Sequence, residues 1–198
     1  MAFEYAIALT GGVATGKSSA TTMLMLFGFR FIDADKIAHQ LLDENANKIG
    51  EMFGQEYIKD SKVNRKPLGL LIFKNQEKKR ELEEFLHPLI YSEIEAQAIK
   101  QDSFKKPYIV DIPLFFETSR YPISKSIVVY ATPLQQLKRL IKRDNFDETE
   151  ALRRINSQMS IEEKRDRASY VIDNSKTLKN LQDECERVKE LILKSYND

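Results

Sequence analysis

The apolar run Tyr5-Ala6-Ile7-Ala8-Leu9 passes directly into Thr10-Gly11-Gly12-Val13-Ala14-Thr15-Gly16-Lys17-Ser18, and the residues from Ser19 to Leu26 can continue as a helix that Gly28 ends. The middle stretch meets the G-x-x-x-x-G-K-[ST] pattern at every fixed position. Strand, glycine-rich loop and helix in that order leave few folds open. The loop has to curl tightly enough for successive backbone N–H groups to point inward at the head of a helix whose dipole favours anions. Gly12, Val13, Ala14, Thr15, Gly16, Lys17 and Ser18 are therefore expected to cradle a polyphosphate. Within such a cradle the lysine reaches the β- and γ-phosphates and the Ser18 hydroxyl ligates a bridging Mg²⁺, so ATP with Mg²⁺ is the expected ligand. A glycine turn without a ligand is the plain alternative. It fits poorly with a chain that has only 7 glycines and places Gly11, Gly12 and Gly16 here.

Length and charge narrow the rest. At 198 residues the chain suits one α/β domain with insertions rather than two independent domains. Lys+Arg 31 against Asp+Glu 30 leaves a formal net charge of +1, which removes any global attraction to nucleic acid or to a membrane surface. A single cysteine, Cys185, excludes an intramolecular disulfide framework and a thiol-based zinc site. The sequence shows no basic leader followed by a long apolar segment, and no apolar run of membrane-spanning length. The expectation is a soluble, cytoplasmic protein, monomeric or weakly self-associating, with no nucleic-acid or membrane partner.

Beyond the first helix, Phe29-Arg30-Phe31-Ile32 reads as a short strand running into Asp33-Ala34-Asp35. Doubly wound sheets bind ligands outside the carboxyl ends of their strands, so Asp33 and Asp35 are expected on the same side as the loop. Asp33 is a candidate base for a substrate hydroxyl, or simply a turn residue. Asp35 is the alternative base, or the N-cap of a helix from Lys36 to Leu42, which suits it better. From Ile37 to Lys106 the pattern is helical and highly charged, which predicts a helical insertion. Arg65-Lys66-Pro67-Leu68-Gly69 interrupts it, Lys78, Lys79 and Arg80 form a solvated face, and His87-Pro88 predicts a kink in the longest helix. His87 reads first as a packing residue at that kink, with ligand binding as the other possibility.

Tyr108-Ile109-Val110 is a buried strand ending in Asp111. An acid at that point suits a role on the Mg²⁺ side of the site, directly or through water; the plain reading is a cap or turn. Ser126 to Ala131 is the next strand, and Leu134 to Arg143 the helix after Thr132-Pro133. This helix opens a basic stretch: Lys138, Arg139, Lys142, Arg143, Arg153, Arg154, Lys164, Arg165 and Arg167. Arg139 and Arg143 stand at i and i+4, like charges on one face that require an anion or an acid to neutralise them. Asn145 to Glu148 breaks the pattern, and Asp147 or Thr149 can cap the next helix. The result is a flap able to close over ATP and bring arginines to the transferred group. Glu162, Glu163 and Asp166 are equally placed to neutralise these cations. Tyr170-Val171-Ile172 is a fifth strand ending at Asp173-Asn174, and Thr177 opens a last helix that turns Leu178, Leu181, Cys185, Val188 and Ile192 inward.

The alternation predicts an α/β fold, a P-loop NTPase core with a five-stranded parallel sheet flanked by helices. The core is expected over about residues 1–35, 107–137 and 168–198, with a helical substrate-binding insertion over about 36–106 and a helical lid over about 138–167.

Along nearly its whole length the chain resembles the dephospho-CoA kinase family. The likeness rests on Leu9-Thr10-Gly11-Gly12 leading into Gly16-Lys17-Ser18, on Ile32-Asp33-Ala34-Asp35-Lys36 and on Leu86-His87-Pro88. It continues through Asp111-Ile112-Pro113-Leu114-Phe115-Phe116-Glu117, Arg139 to Asp144, Arg154-Ile155 with Gln158, and Val171-Ile172-Asp173-Asn174. The loop alone marks a superfamily; the ordered set is far more specific. The resemblance implies a core like that of nucleoside monophosphate kinases, a CoA-binding insertion and an arginine-bearing lid. It implies that Asp33 accepts the proton of the ribose 3′-hydroxyl of dephospho-CoA and that Lys17, Arg139 and Arg143 act on the phosphates of ATP. It also implies that Asn174 joins the nucleotide site, and that His87 and Asp111 join the substrate site. Ala14 stands where the family usually carries a third glycine, which alanine can replace if it keeps a negative φ.

The implied reaction is transfer of a phosphoryl group from ATP to dephospho-CoA, giving coenzyme A and ADP. A kinase for a nucleoside monophosphate or another small alcohol would keep the loop and lid and change the insertion. A GTP-binding switch would need an Asn-Lys-x-Asp motif, which the sequence lacks. An ATP-binding scaffold without turnover would have no use for Asp33.

Overall fold

The computed structural model describes residues 2–197. The chain divides into two compact units, residues 1–32 with 98–198, and residues 33–97. The first is built on a five-stranded sheet of order β2-β5-β1-β6-β7, made from β1 (Ala6–Gly11), β2 (Phe31–Asp33), β5 (Tyr108–Asp111), β6 (Lys125–Tyr130) and β7 (Tyr170–Asp173). β1 pairs in parallel with β5 and β6, and β6 with β7. Every residue of β1 and of β5 is buried, which is why both read as unbroken apolar runs: a central parallel strand is covered on both faces. Between β1 and its two neighbours the chain changes direction across the sheet, the position at which such sheets open a crevice at their carboxyl edge.

Helix α1 (Lys17–Leu26) starts at the glycine-rich loop and stops at Gly28, whose φ of 95° lets Phe29 N–H reach back to the Leu24 carbonyl at 3.1 Å. Ala20 and Leu24 of α1 pack with Ile7, Leu9, Ile109, Ile127 and Ile172 of the sheet and with Leu181, Cys185, Val188 and Ile192 of α10 (Leu178–Asn197). Burial pushes the Cys185 thiol up to about 12, as suits a core residue. After β6, Thr132 and Gln135 close a capping box around α7 (Pro133–Asp144), with proline in its first turn. Asp147 caps α8 (Glu148–Asn156) and Ser160 caps α9 (Ile161–Arg167).

The second unit holds α2 (Ala34–Glu44), α3 (Ala46–Phe53), α4 (Arg65–Lys74) and the greater part of α5 (Gln76–Asp102). Its core joins Leu42, Ala46, Ile49, Phe53, Val63, Leu68 and Leu86. Two local expectations are corrected here. Asp33, not Asp35, caps α2, its Oδ1 accepting the Lys36 N–H at 2.9 Å. The stretch from Ile37 onward is not helical throughout. A hairpin, β3 (Ile58–Lys59) with β4 (Lys62–Val63), turns through Asp60 and Ser61, both at positive φ, as a two-residue turn between twisted strands requires. Helix α5 contains Pro88 in its interior.

Candidate active site

The glycine-rich loop is held in shape by side chains that arrive from far along the chain, all within the first unit. The Thr15 carbonyl accepts from Asn174 Nδ2 at 2.8 Å and from Arg139 Nη1 at 3.3 Å, while Arg139 Nη2 donates to the Asn174 carbonyl at 2.8 Å. In a planar trans peptide the C=O and the following N–H point opposite ways, so two donors on the Thr15 carbonyl turn the Gly16 N–H the other way. Val13 N–H donates to Gln158 Oε1 at 3.0 Å, and the Thr15 hydroxyl donates to the Gly12 carbonyl at 2.9 Å.

The loop is crowded as well as tethered. Gly16 sits at φ 89°, and a Cβ there would lie 2.1 Å from Asn174 Nδ2; a Cβ on Gly12 would lie 2.7 Å from Gln136 Oε1. Ala14 departs from expectation. Its φ is 60°, the left-handed region, where alanine carries a backbone penalty of about 1 kcal/mol. The surrounding hydrogen bonds hold the loop in this form despite the missing glycine.

Lys17 leads α1 and forms an ion pair with Asp111, the last residue of β5, which is 8% exposed. Asp111 also accepts from the Thr21 hydroxyl at 3.4 Å. The loop lysine and the strand-end acid are thus in direct contact, a pairing that the sequence reading did not include. Ser18 is exposed in the first turn of α1. A serine hydroxyl and a carboxylate are hard oxygen donors of the kind that suits Mg²⁺, an ion that keeps most of its shell for water and phosphate and takes few protein ligands. Among the described residues no three His, Cys, Asp or Glu side chains gather as a metal cluster.

The basic stretch resolves into two groups. Arg139 and Lys164 reach the loop. Several of the others pair with neighbouring acids: Arg153 and Arg154 with Glu150, whose carboxyl they hold down at about 2, and Arg165 with Glu162 and Asp166. Arg167 pairs with Glu163. Arg143 belongs to the second group. It binds Asp144 through Nε and Nη2, both at 2.8 Å, and this contact raises its own pKa and lowers that of Asp144. The i, i+4 spacing therefore does not bring Arg139 and Arg143 to one target here.

In the second unit, Asp33 is exposed at the end of β2 and the head of α2, and His87 is partly buried on α5. Sequence reasoning assigned no individual role to Gln136, Glu117 or Lys164. Gln158 and Glu117 were visible only as parts of motifs; Lys164 was one cation among many.

Comparison with known proteins agrees with this geometry. The family model for dephospho-CoA kinase matches residues 5–180. The dephospho-CoA kinase of Sulfurimonas denitrificans is 55% identical over 99% of this chain and 98% of its own length, and that of Helicobacter pylori 43% identical over 98% and 100%. The solved structure of dephospho-CoA kinase from Campylobacter jejuni superposes with a TM-score of 0.79 at 38% identity, covering 96% of this chain and 98% of the other. With the family model matched over residues 5–180 and relatives matched over nearly their whole length, the chain belongs to the dephospho-CoA kinase family.

Proposed function

We propose that this protein transfers the γ-phosphoryl group of ATP to the ribose 3′-hydroxyl of dephospho-CoA, releasing coenzyme A and ADP, with Asp33 as the base. The observation that carries the site assignment is the ion pair of Lys17 with Asp111 at the head of α1, beside a loop whose Thr15 carbonyl is tied back so that the Gly16 N–H points the other way. The loop amides hold the phosphates, and Lys17 exchanges part of its contact with Asp111 for the β- and γ-phosphate oxygens. Arg139, anchored on Thr15 and Asn174, supplies a fixed positive charge beside the loop. Arg143 adds a second only by releasing Asp144.

Mg²⁺ held by Ser18 and Asp111 would offset charge on the β- and γ-oxygens. Asp33 stands at a strand's carboxyl end, with one carboxylate oxygen engaged in the helix cap. It takes the proton of the attacking hydroxyl. The unit over residues 33–97 binds dephospho-CoA, with His87 among its ligands, and the segment around α8 and α9 covers ATP. We place the reaction in the cytoplasm of the cell and assign it to a monomer or a weak homo-oligomer. No described helix is long and apolar enough to cross a membrane.

The purified protein is expected to convert ATP and dephospho-CoA to ADP and coenzyme A, followed by chromatography of both products. Turnover of AMP or UMP with dephospho-CoA untouched would reject the acceptor. The loop can be tested separately. Gly16→Ala places a methyl on Asn174 Nδ2 at a φ that alanine avoids, and should weaken binding of a nonhydrolysable ATP analogue by at least about 100-fold, roughly 2.7 kcal/mol. A calorimetric titration indistinguishable from that of the unmodified protein would mean that the loop does not hold the triphosphate.

A further inference from the structure

Lys164 is fully buried, with no exposed surface, although it lies in the run Glu162-Glu163-Lys164-Arg165-Asp166-Arg167. Burying a lysine costs stability unless its charge is paired and its N–H groups are satisfied. Both conditions are met. Lys164 Nζ donates to the Gly11 carbonyl at 2.9 Å and to the Pro113 carbonyl at 3.4 Å, and makes an ion pair with Glu117 Oε1 at 2.7 Å. Three donors meet three acceptors. The acceptors come from the end of β1, from the turn after β5, and from α6 (Phe115–Thr118). Glu117 Oε1 also accepts the Met159 N–H at 3.1 Å, and the adjacent Gln158 accepts the Val13 N–H. The connector between α8 and α9 is therefore bound through two adjacent residues, Gln158 to the loop and Met159 to its support.

The Gly11 carbonyl belongs to the first peptide of the phosphate loop. Held by Lys164, it turns the Gly12 N–H to the opposite side of that peptide plane. The next peptide carries the Gln158 contact, and the peptide between Thr15 and Gly16 carries Arg139 and Asn174.

We propose that Lys164, with Glu117 as its counter-ion, is a positioning residue for phosphoryl transfer. It sets the first peptide of the phosphate loop and ties that setting to the α8–α9 connector, so that nucleotide affinity depends on a residue that does not touch the nucleotide. The proposal rests on the loop as the ATP site, not on the identity of the acceptor.

The experiment compares Lys164→Met, the double variant Glu117→Gln with Lys164→Met, and Leu181→Ala as a control for lost stability in the core. Thermal unfolding, titration with a nonhydrolysable ATP analogue below every melting point, and steady-state kinetics are measured on each. Lys164→Met alone leaves Glu117 without its cation and should lower Tm; removing both charges should restore much of that loss. ATP-analogue affinity and kcat should stay at least tenfold below the unmodified protein in the double variant, while KM for dephospho-CoA changes less than twofold. If affinity and kcat recover along with Tm, or if Leu181→Ala weakens nucleotide binding as much, Lys164 is structural only and the proposal is overturned. Failure of the unmodified protein to use dephospho-CoA would remove the acceptor assignment and leave the nucleotide titrations to decide this point.

Discussion

Asp33→Asn should lower kcat by about 10²- to 10⁴-fold while leaving the affinity for an ATP analogue and the melting temperature nearly unchanged. The substitution is informative because Asp33 has two tasks. As the N-cap of α2 its carboxylate accepts the Lys36 N–H, and asparagine caps helices about as well as aspartate. Asparagine cannot accept a proton from a hydroxyl. The variant therefore keeps the cap and removes the base, whereas alanine would remove both and cost about 1 kcal/mol of stability besides. Single-turnover measurements with dephospho-CoA separate the chemical step from product release. A kcat within tenfold of the unmodified enzyme would take Asp33 out of the base role and leave it as a cap.

Lys17→Met is the second large effect. Methionine preserves much of the lysine stem and deletes the charge, so packing beside α1 is disturbed little. Loss of one preorganised positive donor to the transferred group costs about 10²- to 10³-fold in kcat. It should also raise the ATP concentration needed for half-saturation, because the loop amides alone then bear the phosphates. Asp111 meanwhile loses the cation it holds, so Tm is expected to fall as well. In the double variant Lys17→Met with Asp111→Asn stability should return, and activity should stay low, since Asp111 is itself assigned to Mg²⁺. Activity returning with stability would mean that Lys17 serves the fold and not the phosphates.

Much of this site could be read from residue order because the chemistry demands fixed spacing. A loop that must curl around phosphates needs glycine at set positions, and Gly16 at φ 89° meets that demand. A buried parallel strand ending in an acid is legible for the same reason, as with Tyr108 to Asp111. Where two local solutions differ little in energy, the residues alone did not decide. Asp33 and Asp35 can each cap a helix, and the end of the strand settles which one does. The hairpin at Ile58–Val63 escaped because two-residue strands show no periodicity and its turn carries no glycine. Arg143 was aligned with Arg139 by helical phase, yet the carboxylate beside it in sequence is the nearer partner. Lys164 was hidden by its neighbours. Only its place three residues after the buried Ile161 marks the inward face of α9, and nothing in the sequence says that a lysine on that face finds Glu117.

The tethers on the phosphate loop span great distances along the chain. Thr15 waits for Arg139, 124 residues later, and for Asn174, 159 residues later; Val13 waits for Gln158 and Gly11 for Lys164, at separations of 145 and 153. Contacts this distant form late, since the entropy of closing such long segments has to be overcome first. On the ribosome, then, the motif at the start of the protein is made early, and its tethers are complete only once the final strand has left the exit tunnel. A nascent chain that stops short of Asn174 carries the loop motif without two of the bonds, Asn174 Nδ2 to the Thr15 carbonyl and Arg139 to the Asn174 carbonyl, that hold it in shape.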